Sequence, residues 1–391
     1  MNSRFSAANS NMKKLTIGMA TFDDFEGVFF TIQSIRLNNL PRLDDLDLVV
    51  IDNNPDSAEG KETANFCGKA NVRYFEERER RSTAIRDRVF REAESDFALC
   101  VDPHVLLEPG AIRRLIEFAE EHPETSDLFH GPMLYDYLGE ETPATHMDPV
   151  WRDNMYGIWG HDKRGKEADA DPFEIEMHGL GLFFCRVLAW QGFSPLFRGF
   201  GGEEGYIHRK FRQAGKTVLL LPWLRWVHRF QRPRGISYPL LMEERIQNYF
   251  IGWEELGQDP QEIHDHFAKT FPHIDRDRLQ REAKKLLDDL AKDRDETIRK
   301  RFEVVVPFKE KETKVKEKEV RKKDPNKIVE LWNTTKVELG EALSINLPED
   351  RLIVKSFEVS WSRRPLEEDD VSRGPVRGTC ESSPPLGPRG D

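Results

Sequence analysis

Residues 15–255 read as an α/β unit, a mixed and mostly parallel sheet flanked by helices, followed by a helical and a small α+β extension. Three observations give this class. Near-continuous apolar runs, as strands buried on both faces require, alternate with segments of helical spacing. Acidic residues (Asp23, Asp52 and Asp102) follow three of those runs, at the sheet edge where such folds bind ligands. Beyond about residue 256 the apolar runs give way to charged amphipathic helices.

Taken in order, the polar residues 1–14 predict a flexible N-terminus. LTIGMATF (15–22) is a buried strand, and TIQSIRLNNL (31–40) has helical spacing. LDLVVIDNN (46–54) is a second strand, VRYFEE (72–77) a third and FALCVD (97–102) a fourth, with the amphipathic STAIRDRVFREA (82–93) before the last. Pro109-Gly110 opens the helix AIRRLIEFAEEH. Residues 130–180 carry Tyr135, Tyr137, Trp151, Tyr156 and Trp159 without clean periodicity, and are expected to form an irregular segment over the site. GLGLFFCRVLAW (179–190) returns to a strand and helix pattern. EEGYIHRKFRQAG (203–215) is an amphipathic helix ended by glycine, and TVLLLP (217–222) is a short strand. Residues 256–303 are read as a helical segment and 304–362 as a small α+β appendage, in which RLIVKSFEVSW (351–361) alternates like a half-buried strand. Residues 363–391, rich in Pro, Gly, Ser and Arg, predict a disordered tail.

Composition narrows the class of function. The chain of 391 residues has a formal net charge of −11, which argues against nucleic acid as its partner. Its four cysteines (Cys67, Cys100, Cys185 and Cys380) lack zinc-finger or C-x-x-C spacing, and two lie in apolar runs, as buried free thiols of a reducing compartment do. No apolar stretch reaches the roughly 18 residues that a membrane span needs, and the first residues lack a signal-peptide core. A cytoplasmic protein with no transmembrane segment is expected. The charged C-terminal region offers a surface for homo-oligomer formation.

The chemistry concentrates in two places. Asp102-Pro103-His104 follows FALCV, and alternate residues of an extended segment share a face, so Asp102 and His104 point the same way. A carboxylate with an imidazole suits a divalent cation, although the tripeptide alone equally fits a turn cap. His228, inside RWVHRF, reads by itself as a packed strand-edge histidine; beside Asp102 and His104 it reads as a third ligand. Gly201-Gly202 permit a positive φ and close approach to a ligand. Glu203 and Glu204 open a helix, where early carboxylates complement the dipole. That explains one of them more easily than both. Two adjacent carboxylates in different surroundings can divide the work, Glu203 binding an acceptor hydroxyl and Glu204 deprotonating it.

These motifs, and the run from Leu15 to about Trp253 that holds them, resemble the catalytic domain of family 2-type glycosyltransferases of the GT-A fold. FGGEEGYIHRKFRQAGKTVLLLPWLRWVHRFQR is similar to the matching segment of the polypeptide N-acetylgalactosaminyltransferases and β-1,4-galactosyltransferases. The D-x-H form at 102–104 is closer to the first of these. The resemblance implies Mn²⁺ or Mg²⁺ held by Asp102, His104 and His228, with Asp102 also facing the donor. It implies that Asp52 binds the uridine, that Thr21 and Phe22 line the nucleobase pocket and that Arg86 contacts the donor. Asp87 stands where an asparagine is expected. The retaining polypeptide transferases carry Asn at the place of Glu204 and inverting relatives an acidic base, so inversion is expected.

The function so implied is transfer of a hexosyl or N-acetylhexosaminyl group from a UDP-sugar to a hydroxyl of a glycan, protein or other acceptor. Three alternatives stand beside it: a retaining transferase, a nucleotidyltransferase and a non-catalytic carbohydrate-binding scaffold. A nucleotidyltransferase would need a glycine-rich basic phosphate loop, and GMATFDDFEGVFF (18–30) carries only acidic charge. Retention of Asp52, Asp102, His104, Glu203, Glu204 and His228 together argues against the scaffold.

Overall fold

The structure is a computed structural model describing residues 13–79, 82–136, 142–230, 232, 235–304, 344–346 and 353–356. The chain opens with β1 (Leu15–Thr21), α1 (Phe25–Asn38), β2 (Leu46–Asp52), α2 (Ala58–Ala70) and β3 (Arg73–Glu76). A 3-10 turn (Thr83–Arg86) and a short α3 (Asp87–Arg91) lead to β4 (Phe97–Val101), β5 (Val105–Leu107) and α4 (Ala111–Glu121). Next come β6 (Leu128–His130), β7 (Met133–Tyr135), β8 (His146–Arg152), β9 (Met155–Gly160), β10 (Phe173–Glu174) and β11 (Leu182–Arg186). They are followed by α5 (Glu203–Gln213), β12 (Val218–Leu220), β13 (Trp226–His228), α6 (Met242–Glu255), α7 (Gln261–Thr270) and α8 (Arg276–Val304).

An eight-stranded sheet runs in the order β10-β12-β6-β11-β4-β1-β2-β3. Strands β4, β1, β2 and β3 are parallel, while β11 lies antiparallel between β4 and β6. Successive residues of one strand enter opposite layers: Val49 and Ile51 join one apolar cluster, Val50 the other, and the same holds for Cys100 against Leu99 and Val101. Period-two alternation between two buried faces is what makes these strands read as unbroken apolar runs. The parallel register sets Thr21 beside Asp52, so the carboxyl ends of β1 and β2 are level.

The order of elements differs from expectation in three places. Helix α2, capped by the Ser57 side chain and closed by Asn71 at φ 55°, has few apolar positions and gave no helical signal. Residues 130–180 are not an irregular segment. They contain β7, β10 and the antiparallel β8/β9 hairpin, and a three-residue strand is too short to show a period. Trp151 and Tyr156 of that hairpin pack on Tyr249 and Trp253 of α6, within one aromatic cluster. Helix α6, absent from the sequence reading, is buried along most of its length.

The chain divides into a unit of residues 1–300 and a unit of residues 301–391. In the second, β14 (Ser344–Asn346) pairs antiparallel with β15 (Ile353–Ser356), and β15 falls inside the stretch expected to alternate. Residues 1–12 of the expected flexible N-terminus, and the whole expected tail at 363–391, lie outside the described residues. Among the described residues no helix is long and apolar enough to cross a membrane. Cys67, Cys100 and Cys185 are buried and free.

Candidate active site

Two sheets meet to build the first part of the site. Strand β4 ends at Val101, and the next backbone N–H, that of Asp102, donates to Gly181 O at 2.9 Å. In the smaller sheet, β13 runs antiparallel to β5 with His228 opposite Val105, which carries His228 alongside His104. One potential ligand atom from each of Asp102, His104 and His228 lies within 4.8 Å of the other two. The imidazoles meet edge to face, centroids 4.8 Å apart, and His228 Nε2 is 3.7 Å from Asp102 Oδ2. Gly181 makes room for this, since a Cβ there would lie 3.3 Å from the His228 ring and closer still to Trp226.

Electrostatics suit these groups to a cation. Burial alone would raise the Asp102 pKa, but contact with His228 and the charges of Arg86 and His104 outweigh it and bring it to about 2. Burial holds His228 below the usual histidine value despite its carboxylate neighbour. An ionised carboxylate and a neutral imidazole are the forms that bind metal. The buried Nδ1 of His228 has no hydrogen-bond partner. His104 Nδ1 bonds Asp24 Oδ2 at 2.8 Å, which fixes the ring and leaves Nε2 as its free donor atom. Asp24 also caps α1 through Gly27 N and lies 3.6 Å from Arg232. Its role was not read from the sequence, because 80 residues separate the pair.

The second part is the loop before α5. Gly201 and Gly202 take φ of 101° and 98°, the left-handed region that the double glycine allows. Helix α6 clasps the loop: Asn248 Nδ2 donates to Arg198 O and Gly201 O, and Arg245 Nε donates to Phe200 O. Glu204 is half-buried, and burial with the neighbouring Glu203 charge raises its pKa. Behind it, His208 Nδ1 bonds Glu204 O at 2.5 Å, and His208 Nε2 is 2.9 Å from His130 Nε2, so buried histidines brace the helix.

Glu203 and Arg86 form a buried ion pair. Glu203 is 1% exposed, its Oε1 accepts from Arg86 Nη2 at 2.9 Å, and its buried Oε2 has no hydrogen-bond partner. Arg86, 5% exposed, also donates from Nε to Thr83 O and from Nη1 to Leu180 O. Asp87 does local structural work, accepting from Trp190 Nε1 and Phe193 N.

At the carboxyl edge of β1 and β2, Asp52 is fully buried with both oxygens engaged, Oδ1 by Asn54 N and Oδ2 by Tyr74 Oη, each at 2.8 Å. These two bonds brace the edge of the sheet. Burial raises the Asp52 pKa, helped by the charges of Asp23 and Glu76. Three buried oxygens beside it have no partner: Thr21 Oγ1, Asp23 Oδ1 and Asn53 Oδ1. Asp23 sits at φ 50°, strained for a residue with a Cβ. Phe22 is half-buried, and its carbonyl accepts from Ser237 Oγ at 2.6 Å. Tyr238, next to that serine, stacks on Phe200 at 5.2 Å.

Residues 16–186, which contain these strand ends and Asp102, match the model of glycosyl transferase family 2. That stretch is a family 2-like glycosyltransferase domain. No curated protein matches the chain. Among solved structures the chain is similar in fold to GalNAc-T7, crystallised with UDP, GalNAc and Mn²⁺, at 16% identity and a TM-score of 0.50. The match covers 70% of this chain and 54% of that one, so the protein spans about half the length of that relative. Staphylococcus aureus TarS 1–349 aligns at 13% identity and a TM-score of 0.40, over 66% of this chain and 70% of its own. Its complex with UDP-GlcNAc aligns at 12% identity and 0.42, over 66% and 71%. At 16% identity the likeness to GalNAc-T7 is one of fold.

Proposed function

We propose that the protein is a metal-dependent glycosyltransferase that takes its sugar from a UDP-sugar and transfers it, with inversion, to an acceptor hydroxyl. The observation that carries this reading is the convergence of Asp102 and His104, which follow β4 inside the family 2-like stretch, with His228 of β13. Charge neutralisation of the departing diphosphate is what a divalent ion supplies at such residues. Two imidazoles with one carboxylate favour Mn²⁺ over Mg²⁺, which prefers oxygen alone. The Mn²⁺ and UDP bound by GalNAc-T7 agree with that choice and with the donor.

The remaining residues divide the work. Thr21 Oγ1, Asp23 Oδ1 and Asn53 Oδ1 offer unpartnered acceptors, suited to the N–H of uracil and the ribose hydroxyls. Glu204 removes the acceptor's proton. Its raised pKa brings a carboxylate toward neutral pH, where a general base works best. The acceptor is a hydroxyl of a glycan, a protein or another molecule. A cytoplasmic, reducing setting accords with the three buried thiols.

Calorimetry of UDP with and without Mn²⁺ tests the reading. UDP is expected to bind only in the presence of the ion, and Asp102→Asn to abolish that dependence. UDP binding of equal strength without Mn²⁺ would refute the metal-dependent donor site.

A further inference from the structure

We infer that Glu203 is a positioning residue for the metal-ligating carboxylate, acting through Arg86 on Asp102. The inference rests on the metal reading of Asp102, His104 and His228. Arg86 lies between two carboxylates supplied by different elements, Glu203 Oε1 at 2.9 Å from the start of α5 and Asp102 Oδ1 at 3.8 Å from the end of β4. The turn that carries Arg86 is docked to the same loop, Thr83 N donating to Gly199 O at 3.0 Å. Leu180 O holds Arg86 Nη1 while the adjacent Gly181 O holds the Asp102 amide, so guanidinium and carboxylate share one stretch of backbone.

This arrangement splits the two oxygens of Asp102. Oδ1 faces Arg86 and Oδ2 faces His228. Glu203 draws the guanidinium to its own side at ordinary hydrogen-bond length, so the contact with Asp102 stays long and Oδ2 stays free for a cation. A guanidinium matches a carboxylate through two parallel N–H groups. Released from Glu203, Arg86 would engage Asp102 with both and compete with a metal for it. Charge acts in the same direction, since Glu203 and Asp102 against Arg86 leave one negative charge to attract a cation, and neutralising Glu203 removes it. Glu203 therefore couples the loop that carries Glu204 to the metal ligands.

The test is Mn²⁺ affinity of the full chain without donor, read from the fraction of free ion by electron paramagnetic resonance. Loss of an outer partner of a metal ligand typically weakens binding about 10–100-fold, and Glu203→Gln is expected to fall in that range. Glu203→Asp keeps the charge on a shorter arm and is expected to lose less. The double variant Glu203→Gln/Arg86→Met removes both buried charges and restores the balance, so its affinity returns toward wild type. If Glu203→Gln is too unstable to study, the double variant carries the test. Affinity of Glu203→Gln within about twofold of wild type would overturn the inference. So would a double variant of wild-type Tm that binds more than about tenfold more weakly than wild type, since removing Arg86 with Glu203 should restore the site. Wild-type protein that binds no Mn²⁺ sinks the metal reading itself, a result distinct from both.

Discussion

Replacing Glu203 by glutamine should move the acid limb of the pH–rate profile to lower pH. Glu204 must be ionised to take a proton, so activity falls as pH drops through its pKa. Burial and the Glu203 charge raise that pKa, while Arg86 and Arg245 lower it. Neutralising Glu203 removes the upward push of its charge and keeps Glu204 ionised to lower pH. Two charges about 6–8 Å apart at an effective dielectric of about 20 interact by about 2–3 kcal/mol, or about 1.5–2 pKa units. Glu204 is half-buried, and solvent screening should reduce this to about one unit. The assay is initial rate against pH at saturating donor and Mn²⁺, so that altered metal affinity does not enter. An acid limb that stays in place, or moves to higher pH, would show that Glu204 is not the titrating base or that Glu203 does not act on it.

Other outcomes can be checked with the same protein. Glu204→Gln should lose about 10²–10⁴-fold in kcat, with UDP affinity by calorimetry unchanged; near-wild-type turnover would place the base elsewhere. Asp24→Asn should weaken Mn²⁺ binding about 10–100-fold through the freed His104 ring, measured by ion titration. Asp52→Ala strands the Asn54 amide and the Tyr74 hydroxyl and should cost about 1–3 kcal/mol of stability, seen as a lowered Tm. Asp23→Asn keeps an oxygen for the Asn54 side chain and suits a φ of 50°, so it should weaken UDP binding with little change in Tm; unchanged UDP binding would return the nucleoside contact to Asp52.

Much of this was legible in the sequence, because strands buried on two faces announce themselves. Leu15–Thr21, Leu46–Asp52 and Phe97–Val101 appear nearly where their apolar runs placed them. The metal candidates were legible for a related reason, since D-x-H spacing on extended backbone fixes a common side. Burial of polar groups was not legible. Asp52 and Asp23 look alike as acids at strand ends, and only the folded neighbours separate them: Asp52 accepts at both oxygens, from Asn54 N and Tyr74 Oη, and Asp23 at Oδ2 alone, from Asn54 Nδ2. Glu203 and Glu204 likewise differ only in what lies behind them, and Arg86 is 117 residues away from the first. The link from Asp24 to His104 and the clasp of Asn248 on the glycine loop are long-range contacts without a local pattern. The β8/β9 hairpin was missed because its aromatics answer to α6 and not to their own period.

Asp24 serves three neighbours at once: the Gly27 amide, the His104 ring and the Arg232 guanidinium. The amide in question opens the first turn of α1, so the ligand shell and the start of a helix hang on one side chain. An ion bound to His104 would then lower the population of the open turn, by the thermodynamic linkage that ties binding to local unfolding. Hydrogen–deuterium exchange should register this as protection at Gly27 and Val28 on adding Mn²⁺. The N-terminus of α1 thereby becomes a reporter of site occupancy on the backbone.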